Sequence, residues 1–265
     1  MRFSYNTYGR SSDWGGPPTL PEQFRAAADA GYDHVGIDLP AVEAHLAAGT
    51  TLDRLRSDLD ATGISCHEVI ALHIDEDETT TLREIARARP IVEAFGGRAV
   101  LVVPAGDNDD VARNVDACAE AFAVLGTETA IEFVAGRPLD TLGAAASLIG
   151  RCRADVKVVV DVWHFARGPD SDADLAAVPA DRIAFIQLSD APPPISDDTL
   201  WETRHRRVMP GDGVLDVVGF CRTVRDVVGY DGVASVEILS DEWRSADLST
   251  FVRRSLESSR SVCLT

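Results

Sequence analysis

Three carboxylates and one amide stand at matching places in four successive apolar runs. Glu132 lies in Ala130-Ile131-Glu132-Phe133, Asp161 in Val160-Asp161-Val162-Trp163-His164, Gln187 in Ile186-Gln187-Leu188-Ser189-Asp190, and Glu237 in Val236-Glu237-Ile238. Each run has the length of a buried strand, and a buried parallel strand reads as continuously apolar. A carboxylate in such a run is costly unless it is paired or holds a metal. Any one of these acids could pair with an arginine at a rim. Four polar groups at the same end of consecutive strands favour a shared ion. Carboxylate and amide oxygens are hard donors, suited to Mg²⁺, Mn²⁺ or Co²⁺ rather than to a thiolate-loving ion. The chemistry is that of one divalent cation at the mouth of a parallel barrel.

Further polar residues cluster around this set. His164 follows Asp161 by three residues, just past the strand, where it can hydrogen-bond a substrate oxygen beside a metal. Arg207 lies in Arg204-His205-Arg206-Arg207-Val208-Met209-Pro210-Gly211-Asp212-Gly213; Arg204 and Arg206 read as surface charge, while His205 is open to either reading. His67 and Glu68 interrupt the apolar run 65–71 and, by strand alternation, point to opposite faces. One of the two can reach the mouth, and His67 is carried forward as a substrate contact. His73 reads as loop, and Tyr8 and Trp14 as roof or ordinary packing.

The elements that must hold these residues alternate along the whole chain. Strand-like runs fall at 3–5, 34–37, 65–71, 99–103, 130–134, 157–162, 183–188 and 233–238. Helical patterns fall at 21–30, 52–62, 81–95, 111–125, 139–149, 215–228 and 248–259, most ending at a glycine, with a shorter one at 172–178. Glycine directly after a helical pattern is a usual stop signal. Strand–helix alternation implies a parallel sheet. Eight such units in 265 residues fit a single (β/α)8 TIM barrel domain over 1–265, a fold of typically about 250 residues. The open doubly wound alternative places a glycine-rich loop after its first strand, whereas this chain reads Asn6-Thr7-Tyr8-Gly9-Arg10 there. The proline-rich stretch 190–212 is the longest irregular segment, and long loops at a barrel mouth are usually functional.

The bulk numbers narrow the partners. A net charge of −18 opposes binding to a phosphate backbone, which needs a basic footprint. No apolar run approaches the roughly 18 residues of a membrane span, and the first residues begin as a strand rather than a signal peptide. A cytoplasmic protein acting on a small molecule, without nucleic acid or membrane, is expected. The five cysteines are scattered without CxxC spacing, which predicts buried or surface thiols rather than a disulfide framework or a zinc–thiolate site.

Glu on the fifth strand, Asp-x-x-His after the sixth, a ligand on the seventh, Arg-x-x-Pro-Gly-x-Gly in the next loop and Glu on the eighth together resemble the xylose isomerase-like TIM barrels. The resemblance covers nearly the whole chain in strand order. It implies Glu132, Asp161, Gln187 and Glu237 as ligands of one divalent ion (Mn²⁺, Co²⁺ or Mg²⁺, with Zn²⁺ also compatible). It implies the two glutamates as acid and base, and His164 and Arg207 on the substrate oxygen. The activity implied is isomerisation or epimerisation of a small sugar, sugar phosphate or polyol-derived ketone through an enediolate. One departure opens an alternative. Most isomerases of the group carry histidine where this chain has Gln187, and glutamine in Gln-Leu-Ser-Asp-Ala is similar to 3-dehydroshikimate dehydratases. Dehydration of a cyclic hydroxyketone, that one or an inosose, is therefore the second expectation.

Overall fold

The computed structural model describes residues 1–264. Eight parallel strands close into a barrel: β1 (Arg2–Asn6), β2 (His34–Asp38), β3 (Ser65–Ile74), β4 (Ala99–Pro104), β5 (Glu128–Glu132), β6 (Val156–Asp161), β7 (Ile183–Leu188) and β8 (Val233–Val236). The ring closes where Phe3 of β1 pairs with Ala234 of β8. The expected (β/α)8 TIM barrel is the observed fold.

Side-chain parity divides the apolar residues between two layers. Outward residues such as Val158, Val160, Ile186 and Val236 join the helices in one continuous core. Inward residues, among them Ile70, Leu101, Val159, Phe185 and Val233, fill the barrel. Because successive strand residues face opposite sides, this parity determines what comes next. Val159 faces inward, so Asp161 does too. Phe185 faces inward and so does Gln187; Ala130 carries Glu132 with it, and Val233 carries Ser235 and then Glu237.

Four helices lie outside the expected set: the single turn Asp241–Arg244 and three that matter to the site. Leu39–Ala47 follows β2 directly, capped by the Asp38 side chain on the Ala41 amide. Val162–Arg167 starts on Asp161 itself. Thr199–His205 sits inside the stretch expected to be irregular. All three are short, below the length at which hydrophobic periodicity is distinctive. Strand β3 is three residues longer than expected and carries a register shift opposite Val35/Gly36.

Two cysteines depart from the expected free thiols. Cys221, in the helix Val217–Arg222, is bonded to Cys263 at the end of the helix Leu248–Cys263, with Cα atoms 5.2 Å apart. The two residues are 42 positions apart with no sequence signature of pairing. Among the described residues, no helix is long and apolar enough to cross a membrane.

Candidate functional site

Register brings the four ligand-type residues to one end of the barrel. Asp161 and Gln187 are directly paired across β6 and β7, and Gln187 is level with Ser235, two residues before Glu237. Glu132 is level with Val159, the inward residue below Asp161. Glu132 is the last residue of β5, Asp161 the last of β6, and Glu237 follows β8 by one residue. All four are buried.

Asp161 is the most fully committed. Its Oδ1 accepts from the amides of Trp163 (2.6 Å) and His164 (3.3 Å), capping the helix that follows. Its Oδ2 accepts from Arg207 Nη1 at 2.7 Å. Burial alone would push the Asp161 carboxyl up; the Arg207 guanidinium, with His164 and these bonds, holds it below the usual range. Glu132 has no comparable help. Burial, then Glu237 and Asp161, drive its carboxyl well above normal. Glu237 rises to about 7, pushed up by burial against the opposing pull of Arg207.

Arg207 is itself buried and reaches both sides of the set. Nη1 lies 2.7 Å from Asp161 and 3.3 Å from Glu237. Thr203 holds it from behind, with Oγ1 accepting from Nη2 at 2.7 Å and the carbonyl accepting from Nε at 3.0 Å. The guanidinium also lies over the Trp163 ring, 5.5 Å from its centroid. The loop that delivers it is fixed by Asp190. Asp190 Oδ2 accepts from the amides of Gly211 and Gly213, and Oδ1 from Leu215, each at 3.0 Å. A Cβ on Gly213 would meet Asp190 Oδ1 at 2.3 Å, which explains the second glycine of the Pro-Gly-x-Gly run.

His164 comes within ligand range of Glu132 and Asp161, the facing atoms of all three lying within 4.8 Å of one another. Its hydrogen bonding indicates another part. The Ala135 amide donates to Nδ1 at 3.3 Å. Burial holds the ring neutral, with its pKa lowered to about 4 despite Asp161. Nε2 lies 3.4 Å from Arg207 Nη2 and 3.9 Å from Glu132 Oε1, so the ring stands between the cation and an acid of the set.

The donor set fits a divalent cation. Three buried carboxylates meet one guanidinium, an excess of negative charge. Gln187 is fully buried, and both its amide oxygen and its amide nitrogen lack a hydrogen-bond partner. Orphaned polar atoms at such a depth are rare and expensive. An ion would satisfy the oxygen and neutralise the excess.

His67 is not part of the pocket. The extra residue in β3 opposite Val35/Gly36 is a bulge, and it turns both His67 and Glu68 inward instead of to opposite faces. His67 Nδ1 pairs with Glu68 at 2.9 Å, and its ring packs edge-on against Phe185 and beside His34. With β3 running on to Ile74, the mouth is lined by Ile70, Ala71 and His73. His73, expected in a loop, lies in β3 and lines the cavity, as does Arg137; Arg204 is exposed as expected and borders the same cavity from the surface. The sequence reading passed over Asn6, whose Nδ2 donates to Glu237 Oε1 at 3.1 Å. Asn6 shares the inward parity of Ser4, a clue visible only once β1 is placed beside β8.

The match to known proteins follows the same outline. The family model described as xylose isomerase-like TIM barrel matches residues 24–261. The chain belongs to the xylose isomerase-like TIM barrel family. Within curated proteins, it is 29% identical over 244 residues to a 3-dehydroshikimate dehydratase of Pseudomonas aeruginosa, covering 86% of this chain and 37% of that protein. It is 26% identical over 239 residues to the 3-dehydroshikimate dehydratase of Pseudomonas putida, with the same coverage. The chain thus spans little more than a third of the length of these relatives. Among solved structures, this xylose isomerase-like barrel resembles the IolI protein, described with a bound zinc atom, at a TM-score of 0.85, 18% identity, and coverage of 99% of this chain and 98% of that one.

Proposed function

We propose that the protein is a metal-dependent dehydratase of a small cyclic hydroxyketone, with 3-dehydroshikimate as its substrate. The observation that carries the metal reading is Gln187, whose amide is buried and unpartnered inside a ring of three carboxylates. Support for the substrate comes from the two dehydratases at 29% and 26% identity. The cavity of about 280 Å³ is at the small end for ligand sites, which suits one ring with short substituents.

Glu132, Asp161, Gln187 and Glu237 would hold the ion. A bound divalent ion supplies Lewis-acid polarisation of the ketone and so acidifies the neighbouring C–H. Glu237, held by Asn6 at the mouth of the barrel, would be the proton acceptor for that step. The electron pair of the broken C–H bond moves onto the ketone oxygen. It then returns to expel the hydroxyl on the adjacent carbon, which leaves as water with a proton from Glu132. The remaining dienone tautomerises: Glu132, now ionised, takes one ring CH2 proton while Glu237 returns its proton to the former ketone oxygen, giving aromatic 3,4-dihydroxybenzoate. His164, in the pocket lining beside Arg207, is placed to contact the charged oxygen. Arg207 keeps Asp161 ionised and limits the repulsion between it and Glu237.

A second reading shares the first half. β5 and β8 are separated by β6 and β7 in the ring, so Glu132 and Glu237 approach the centre from different sides and can address opposite faces of one carbon, as an epimerase requires. The deciding experiment incubates metal-stripped protein, with and without Mn²⁺, with 3-dehydroshikimate and with a panel of ketoses in deuterium oxide. Metal-dependent growth of the ultraviolet absorbance of the aromatic acid is expected. Deuterium incorporation into a ketose without aromatic product would replace dehydration with epimerisation.

A further inference from the structure

Along the rim of the pocket the charge reverses. Arg137 and Arg204 line the same cavity as Glu132 and Glu237. Neither guanidinium has a hydrogen bond or ion pair among the described residues, and Arg137 Nε is buried without a partner. Other arginines nearby are committed. Arg87, in the same lining, pairs with Glu43 and with Glu84 at 3.1 Å. Arg206 pairs with Glu202 at 2.9 Å. Arg204 is exposed at the cavity edge, whereas Arg137 carries a buried guanidinium nitrogen without a partner, and in a chain of net charge −18 that needs a reason.

The fold brings them together deliberately. Arg137 follows Gly136, whose φ of +84° favours glycine. A Cβ at Gly136 would also press on Thr199 at 3.2 Å. Thr199 opens the helix Thr199–His205, which carries Arg204. The β5 loop and this helix are therefore packed side by side. His73 lies among the cations: burial first, then Arg137, with Arg87 and Arg204, lowers its proton affinity. Asp13, the acid on this rim, accepts from Tyr8 Oη at 3.2 Å.

We propose that Arg137 and Arg204 form an anion subsite that binds a carboxylate carried by the substrate. Guanidinium groups match the two oxygens of an oxyanion. The choice of carboxylate over phosphate rests on the dehydratase reading; the subsite itself does not.

The test is calorimetric binding to Mn²⁺-loaded protein, independent of turnover. Catechol and 3,4-dihydroxybenzoate share a chelating diol and differ by the carboxylate; D-fructose and D-fructose 6-phosphate form the second pair. Wild type is expected to bind the acid about 10- to 100-fold more tightly than catechol, the range of a charge-assisted hydrogen bond. Arg137→Gln should remove about tenfold of that preference, and Arg137→Gln with Arg204→Gln nearly all of it, while catechol binds all three proteins alike. A preference only within the fructose pair, erased by the same substitutions, supports the subsite and overturns the ring-acid substrate. Equal binding within both pairs in wild type, a preference that survives both substitutions, or no binding of either anion overturns the subsite.

Discussion

The barrel interior holds two buried carboxylate clusters, and they are built on opposite principles. Around Glu68 both carboxylate oxygens are answered by protein. Ser4 Oγ donates to it at 2.9 Å, Ser235 Oγ donates from across the barrel, and His67 lies at 2.9 Å. Gly36 leaves room for it, since a Cβ there would meet Oε1 at 2.2 Å. Around Glu132, Asp161, Gln187 and Glu237 the protein leaves an unpartnered amide and more negative charge than Arg207 offsets. The same residue type at similar depth thus serves structure in one layer and chemistry in the other. What separates them is whether neighbouring side chains complete the hydrogen bonds. The Glu68 layer is closed, and the mouth is open to an ion and a substrate.

The sharpest way to break this contrast is to neutralise each acid in turn. Glu237→Gln and Glu132→Gln should each cut turnover by about 10²–10⁴-fold, the usual worth of a general acid or base. Neither should lower the melting temperature of the metal-free protein, because each removes an unfavourable buried charge; thermal unfolding in a chelator alongside the rate assay checks both. Arg207→Ala should destabilise the metal-free protein by about 3–5 kcal/mol, since it strands Asp161 and Glu237 as uncompensated charges. Excess Mn²⁺ should restore part of that loss in denaturant titrations. Glu68→Ala belongs to the other cluster. It should cost about 2–4 kcal/mol from a cavity and orphaned serine hydroxyls, and leave Mn²⁺ affinity within about twofold.

The smallest effect expected is one of pH. The folded Glu237 pKa of about 7 stands above its ordinary 4.5. Between those values the folded chain keeps a proton that the unfolded chain releases. Stability of the metal-free protein should therefore fall as pH rises through this window, by linkage. Glu237→Gln should flatten that part of the curve; a curve unchanged by the substitution would remove Glu237 as its source.

Much of the barrel and its acid set was legible because the signals were local. Eight apolar runs and glycine stops mark the alternation, and an acid at the end of a run stands out by itself. Glu68 shows the limit of that rule. It also interrupts an apolar strand, but its partners Ser4 and Ser235 arrive from strands distant in sequence, and the bulge that turns His67 inward leaves no compositional mark. Arg204 and Arg206 look alike in the sequence. Only the helix Thr199–His205, too short to declare itself, sets one, still exposed, at the edge of the cavity and pairs the other with Glu202. Arg207 was expected on the substrate, and the structure adds its pairing with Asp161 and Glu237, which depends on the three-dimensional path of the loop fixed by Asp190.

Whether the mouth cluster is a metal site is decided by titrating Mn²⁺ into chelator-stripped protein by calorimetry, beside Gln187→Ala and Glu237→Gln. One equivalent per chain in wild type is expected, with affinity weakened at least tenfold in both Gln187→Ala and Glu237→Gln. No binding to the wild type, or equal binding to all three proteins, would contradict the account.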